Sequence, residues 1–296
     1  MHILLTGGTG FIGQALVPHL QSMGHTVTIY SRQRRSSTAQ LAYIKAFDEL
    51  PQLEPIDTVI NLAGESLAGG RWTKTYKQKL RESRIDLTYD LIQALRRSGH
   101  RPDHFISASA IGWYGNCGAK RVTESHPAGS GFGAELCKDW EAVASSAKET
   151  LGAMVTQMRI GVVLDRDGGA FPQIFMPFRF GVANWPGTGN QYLSWIHRSD
   201  LIHAIGELVQ RSVEGPVNLT APEPVTYKTL ADEISKLKRT WIQLPAPAVI
   251  MQLALGEMAS ELLLNGQRVI PAKLEAKAFV FQYPAINQAL TAILSN

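Results

Sequence analysis

Gly7-Gly8-Thr9-Gly10-Phe11-Ile12-Gly13 contains a Gly-x-Gly-x-x-Gly run at Gly8, Gly10 and Gly13. That spacing makes a phosphate cradle. Gly8 permits a tight turn, Gly10 lets the backbone approach a pyrophosphate, and Gly13 lets the following helix pack on the preceding strand. Free amides at the start of that helix then face the phosphate oxygens. Gly7, Gly10, Phe11, Ile12 and Gly13 are the expected cofactor contacts. The run has the strand–turn–helix setting that separates a dinucleotide site from a chance glycine cluster.

The second strand ends at Ser31 and Arg32. An NAD site offers an acid there, about 20 residues beyond the glycines, to hold the ribose hydroxyls. Here no acid occurs until Asp48; the chain reads Ser31-Arg32-Gln33-Arg34-Arg35. A guanidinium pairs bidentately with a phosphate, so Ser31 and Arg32 point to NADP, with NADPH preferred over NADH. Arg34 and Arg35 read equally as a solvated loop. Leu62, Ala63 and Gly64 follow a later strand, where small residues let the chain pass close to the cofactor.

Glu65, Arg71, Trp72, Lys77 and Arg84 lie in and after the next loop and form a candidate substrate pocket. Arg71 and Lys77 suit an anionic substrate and Trp72 a stacking surface, although each also reads as structural or solvated. His197, with Asp200, is a further substrate candidate that could instead hold two lobes together; Asp200 equally suits a helix cap. No companion His or Cys stands near His197 at ligand spacing, so no metal is expected.

These residues need a scaffold, and the periodicity supplies one. His2–Thr6, His25–Tyr30, Asp57–Leu62, His104–Ala108, Val155–Val163 and a GPVNLT stretch from Gly215 read as buried strands, and Leu41–Ala46 as a short one. Phe11–Met23, Thr75–Ser98, Gly133–Leu151 and Asp200–Arg211 carry helical spacing. The alternation predicts an α/β fold, a doubly wound, Rossmann-like parallel sheet. Residues 1–165 form the dinucleotide-binding part, to which about 195–220 return. Residues 166–296 form a smaller interleaved C-terminal lobe, rich in Gly, Pro and aromatics between 165 and 195.

Composition excludes more than it names. The net charge of +4 is scattered rather than gathered into a stripe, which argues against nucleic-acid binding. Two cysteines, Cys117 and Cys137, make no disulfide framework and fit a reducing compartment. No signal peptide and no run of 18 apolar residues is present, so a cytoplasmic protein without membrane spans is expected.

Taken together, GGTGFIG at Gly7, NLAGE at Asn61, RWT at Arg71, SASAIGWYG at Ser107, CKDWE at Cys137, SWIHRSD at Ser194 and GEM…LLLNGQRVIPAKL from Gly256 carry a resemblance across essentially the whole chain. It resembles the extended, atypical short-chain dehydrogenase/reductases, the NAD-dependent epimerase/dehydratase group, in a bacterial epimerase-family branch (putative cell-division-inhibitor-like) with a characteristic C-terminal region. The resemblance implies an NADP-type cofactor and a helix-mediated homodimer. It also implies a Ser, a Tyr and a Lys that exchange a proton while hydride moves at the nicotinamide. Matching WYG puts the Ser position on Ala110, just after Ser109; matching Lys138 to the family's Lys puts the Tyr position on Ala134. Ser109, Tyr114 and Lys138 are therefore the catalytic candidates, with Glu135, Cys137 and His197 as other acids. Two readings follow: an oxidoreductase or epimerase with a non-standard proton donor acting on a polar small molecule, or a non-catalytic NADP(H)-binding sensor or interaction protein.

Overall fold

In the computed structural model, which describes residues 1–32 and 35–295, the short apolar runs assemble into one parallel sheet. Its strands are β1 (His2–Thr6), β2 (Thr26–Tyr30), β3 (Leu41–Ile44), β4 (Thr58–Asn61), β5 (His104–Ala110), β6 (Met154–Ile160) and β7 (Gly215–Leu219). They lie in the order β7-β6-β5-β4-β1-β2-β3, all parallel. The winding reverses between β1 and β4, and such a switch point opens a crevice beyond the carboxyl ends of the strands.

The helices of eight or more residues are α1 (Gly13–Ser22), α2 (Lys74–Arg81), α3 (Leu87–Arg97), α4 (Phe132–Ser145), α5 (Arg198–Gln210), α6 (Tyr227–Leu237), α7 (Ala248–Leu255) and α8 (Ile286–Ser295). Side chains alternate across a strand, so each strand feeds two cores. Ile3 and Leu5 join Ile60, Ile106, Leu16, Leu20 and Ile205 on the face that carries α1 and α5. Leu4 joins Val59, Phe105, Leu91, Leu95 and Ala144 on the face that carries α3 and α4. This is the doubly wound, Rossmann-like arrangement that the periodicity predicts.

Three elements differ from the sequence reading, the simplest being the helix expected over Gly133–Leu151, which breaks at Ser146 into Phe132–Ser145 and Ala147–Leu151. The strand expected over Val155–Val163 divides at Gly161, where a Cβ would stand 2.8 Å from the Ser194 carbonyl oxygen. Beyond that close crossing, Val162–Asp165 leaves the main sheet to pair with Trp195–His197. The long helix expected from Thr75 is interrupted by a π turn over Glu82–Asp86, between α2 and α3. The C-terminal lobe has its own core, in which Leu164, Phe171 and Trp195 meet Tyr227 and Leu230 of α6 and Leu290 of α8. Among the described residues no helix is long and apolar enough to cross a membrane.

Candidate cofactor crevice and the buried network beside it

Three polar residues stand in register at the carboxyl edge of the sheet: Thr6 opposite Asn61, and Asn61 opposite Ser107. All three are buried. The Thr6 hydroxyl donates to Asn61 Oδ1 at 2.7 Å and accepts the Ala63 amide at 3.1 Å. Asn61 Nδ2 donates to the hydroxyls of Thr88 and Ser107. A buried polar group must be satisfied, and this ladder satisfies itself by fixing where the 62–64 backbone turns. The sequence reading missed it, although Thr, Asn and Ser at the ends of otherwise apolar strands were its visible signal.

The glycine loop closes against that turn. Gly7 adopts φ +71°, and a Cβ there would lie 2.8 Å from the Leu62 carbonyl carbon. A Cβ on Gly13 would stand 2.4 Å from the Gly7 carbonyl oxygen, so α1 packs directly on the turn. Gly10 is different, with only Gly7 O near its Cβ position, at 3.3 Å. Its amide donates to that oxygen at 3.0 Å. The amides of Phe11 and Ile12, ahead of α1, have no partner among the described residues. Open space over Gly10 beside free helix-end amides fits a pyrophosphate. The Phe11 ring itself is committed elsewhere: it lies 2.5 Å from the Gly168 Cβ position and beneath the Arg198 guanidinium, which pairs with Asp165.

At the end of β2, Ser31 is buried, with its amide on the Ile44 carbonyl at 2.9 Å, and Arg32 is exposed. Arg35 is exposed as well, while Arg34 lies outside the described residues. Among the described residues no group of three or more His, Cys, Asp or Glu could hold a metal ion.

The catalytic candidates require correction. Ser109 and Ala110 are consecutive on β5 and so point to opposite faces. Ser109 faces α4 and donates to Glu141 Oε1 at 2.6 Å. Glu141 also accepts both Nε (2.8 Å) and Nη2 (2.9 Å) of Arg159. Arg159 Nη1 donates to the Tyr114 hydroxyl at 3.0 Å, and that hydroxyl donates to Asn218 Oδ1 at 2.7 Å. Burial pulls the Arg159 guanidinium down, but the Glu141 carboxylate overrides it and holds the charge above the ordinary range. Burial pushes the Tyr114 phenol up, against Arg159. Tyr114 is 1% exposed and Ser109 3%, so both hydroxyls serve a closed network that ties β5, β6, β7 and α4 together. Lys138 falls on the exposed side of α4, and Cys137 is the α4 residue over β5, its Sγ 3.6 Å from the Ala110 carbonyl oxygen. Burial lifts that thiol to about 11, which leaves it protonated and inert. Glu135 is exposed.

Most of the expected substrate residues are also engaged in structure. Arg84 is buried in the π turn, where Nη2 donates to the Glu65 carbonyl at 2.8 Å and Nη1 to Ser83 and the Leu80 carbonyl; burial lowers its pKa. It pins the loop from beneath rather than facing a ligand. Glu65 pairs with Lys79 at 3.2 Å, and Lys77 with Glu257. Trp72 is 7% exposed, stacked edge-on against Phe132 and bonded through Nε1 to Leu67 O. His197 caps α5 through Nδ1, 3.1 Å from the Ser199 amide, and its ring lies 4.1 Å from that of Tyr283. Asp200 accepts the Gln282 and Tyr283 amides and so ties the tail to α5. Of that set Arg71 alone remains exposed and outside any ion pair among the described residues, near Gly256.

One contact had no sequence signal. The Glu261 carboxylate accepts the amides of Phe132 (2.9 Å) and Gly133 (2.8 Å) at the start of α4. A Cβ on Gly131 would stand 2.2 Å from Glu261 Oε1, so the glycine makes room for that carboxylate.

The architecture has known counterparts. The model of the NAD dependent epimerase/dehydratase family matches residues 3–220, and a domain of unknown function (DUF1731) matches residues 246–293. The chain belongs to the NAD dependent epimerase/dehydratase family. Within the family it is 37% identical to epimerase family protein Mb2239 of Mycobacterium bovis over 97% of this chain and 96% of that one. It is 36% identical to epimerase family protein YfhF of Bacillus subtilis, over 100% and 99%. The crystal structure of human epimerase family protein SDR39U1 (isoform 2) with NADPH superposes over all of both chains with a TM-score of 0.89, at 31% identity.

Proposed function

We propose that this family member binds NADP(H) in the crevice between β1 and β4 and acts as an oxidoreductase or epimerase on a polar small molecule. The observation that carries the reading is the open space over Gly10 beside the unpartnered Phe11 and Ile12 amides. Gly7, Gly10, Phe11, Ile12 and Gly13 would hold the pyrophosphate through the backbone. Ser31 and Arg32 would receive the 2′-phosphate, and Leu62, Ala63 and Gly64 would border the cofactor. The human relative crystallised with NADPH supports that choice of cofactor. Bound NADP(H) supplies the hydride. The proton donor is a group other than Ser109 and Tyr114, whose hydroxyls are spent in the Glu141–Arg159 network.

That network also favours a second reading, in which the protein binds the cofactor without turnover as a redox or metabolite sensor. Cofactor fluorescence titration followed by a screen of carbonyl compounds for NADPH oxidation separates the two. NADPH is expected to bind more tightly than NADH, and Arg32→Ala to remove roughly 10- to 100-fold of that preference, the worth of one charge-assisted phosphate contact. Equal wild-type affinities for the two cofactors would sink the assignment.

A further inference from the structure

The Phe11 ring ties the glycine loop to a stretch of chain that has left the main sheet, and pyrophosphate binding by backbone amides gives that tie no role. Val162–Leu164 runs parallel to Trp195–His197, with His197 opposite Leu164. Asp165 and Arg198 follow the paired ends of those strands, and Arg198 Nε reaches Asp165 Oδ2 at 3.1 Å. The chain then turns back, setting Gly168 and Gly169 antiparallel to Asp165 and Leu164. These residues meet at one side chain. Arg198 Cζ lies 4.9 Å from the centre of the Phe11 ring. A Cβ on Gly168 would stand 2.5 Å from Phe11 Cδ2, and one on Gly169 3.0 Å from Phe11 Cε1. Gly168 has no positive φ that would call for glycine. The three atoms nearest its Cβ position all belong to the Phe11 ring, so the ring is the reason this position is bare.

We propose that this slot positions the cofactor loop: Asp165, Gly168 and Arg198 hold the Phe11 ring, and the ring holds the Phe11 and Ile12 amides where a pyrophosphate would meet them. The role rests on the NADP(H) reading. Gly7, Gly8 and Gly10 give the turn more backbone freedom than other residues would, and binding a ligand removes that freedom. Phe11 carries the first bulky side chain after those glycines. Fixing it before the ligand arrives lowers the ordering cost of binding. An aromatic ring suits the task, having two side-chain torsions to freeze and a face that attracts a guanidinium. Asp165 anchors that guanidinium and so acts on the loop through Arg198. By linkage, a segment that favours the bound loop is itself favoured when the loop is bound.

The test is Gly168→Ala, which leaves the loop sequence intact and pushes the ring from its slot. The amides of Gly10 and Gln14 are bonded to the Gly7 and Gly10 carbonyls, at 3.0 and 2.9 Å. In the ligand-free full chain their hydrogen exchange is expected to run about fivefold faster in the variant than in wild type. NADPH titration is expected to show an affinity lower by about three- to tenfold. Asp165→Asn keeps an acceptor for the Asp167 amide and removes the ion pair. It is expected to move both readouts the same way by a smaller factor, and it carries the test should Gly168→Ala not fold. On a Phe11→Ala background, Gly168→Ala is expected to change neither readout further, since no ring is left to displace. Unchanged exchange overturns the proposal, as does faster exchange with unaltered NADPH affinity, or an effect of Gly168→Ala that persists without the ring. A wild-type chain that binds no NADPH overturns the NADP(H) reading instead, and exchange at Gly10 and Gln14 still decides whether the slot holds the loop.

Discussion

Gly13→Ala and Gly10→Ala add the same methyl group three residues apart, and the structure gives them opposite consequences. The Cβ on Gly13 would stand 2.4 Å from Gly7 O, 2.5 Å from Gly8 Cα and 2.6 Å from Gly8 C. These are backbone atoms, so no side chain can swing aside, and contacts this far inside the usual 3.5–4.0 Å force α1 off the turn. Overpacking of this kind costs about 1–3 kcal/mol or more. At roughly 2–4 °C per kcal/mol for a large domain, the Tm should fall by about 5–10 °C. At Gly10 one atom alone approaches, at 3.3 Å. Lost freedom of the unfolded chain offsets that contact by about 0.4–1 kcal/mol, so the Tm should stay nearly constant. The new methyl instead fills the space where a phosphate would sit. Differential scanning fluorimetry with and without NADPH separates the effects. Ligand at 100 times its Kd adds about 2.7 kcal/mol, a rise of several degrees that wild type should show and Gly10→Ala should not. A Gly10→Ala protein that keeps the NADPH shift, or an apo Gly13→Ala protein that melts like wild type, refutes the reasoning.

Arg159→Met strands the Glu141 carboxylate in the core, and urea denaturation should register a loss of about 3–5 kcal/mol; a loss below 1 kcal/mol would mean the network is dispensable. His104 concerns pH. It is 4% exposed, its Nε2 is 2.7 Å from the Thr156 hydroxyl, and burial drops its pKa from 6.5 to about 4. The folded protein therefore binds this proton less readily than the unfolded chain. The stability is fully present above pH 6.5 and drains away as pH falls toward 4, by up to about 3 kcal/mol. Denaturation curves at pH 7.5 and pH 4.5 should differ more in wild type than in His104→Gln, and equal differences would remove His104 as a cause.

The sheet was legible because its signals are local. A buried parallel strand reads as a short apolar run, and a glycine loop betrays its own close approaches. Gly7, Gly8 and Gly10 needed no tertiary information to be placed between β1 and α1, nor Gly13 at the start of α1. The catalytic candidates were illegible for the opposite reason. Ser109 and Tyr114 have the right residue types at the right strand end, but their hydroxyls are claimed by Glu141, Arg159 and Asn218, which lie 32, 45 and 104 residues away along the chain. A charged residue inside an apolar strand, such as Arg159 in VTQMRIGVV, was the one hint that a partner must be buried beside it. Helical phase sets Lys138: one residue's rotation, about 100°, puts Cys137 over Ala110 and the lysine on the exposed side of α4.

That displacement bears on how the crevice could be completed. In the first turn of α4, where the resemblance expects a tyrosine, the chain presents Phe132, Gly133 and Ala134. Among the described residues, the ionisable side chain that bonds the amides of that turn is Glu261, which belongs to the region of unknown function rather than to the sheet. An anion at a helix N-terminus is stabilised by the aligned peptide dipoles and by the otherwise unpartnered amides. The same segment carries Glu257 to Lys77 and Met258 into the cluster of Trp72, Leu80 and Leu136. Residues 256–264 therefore bind to α2, to the loop after β4 and to α4 at once. The two family-matched regions meet there, and the C-terminal one packs on the first through Glu257, Met258 and Glu261.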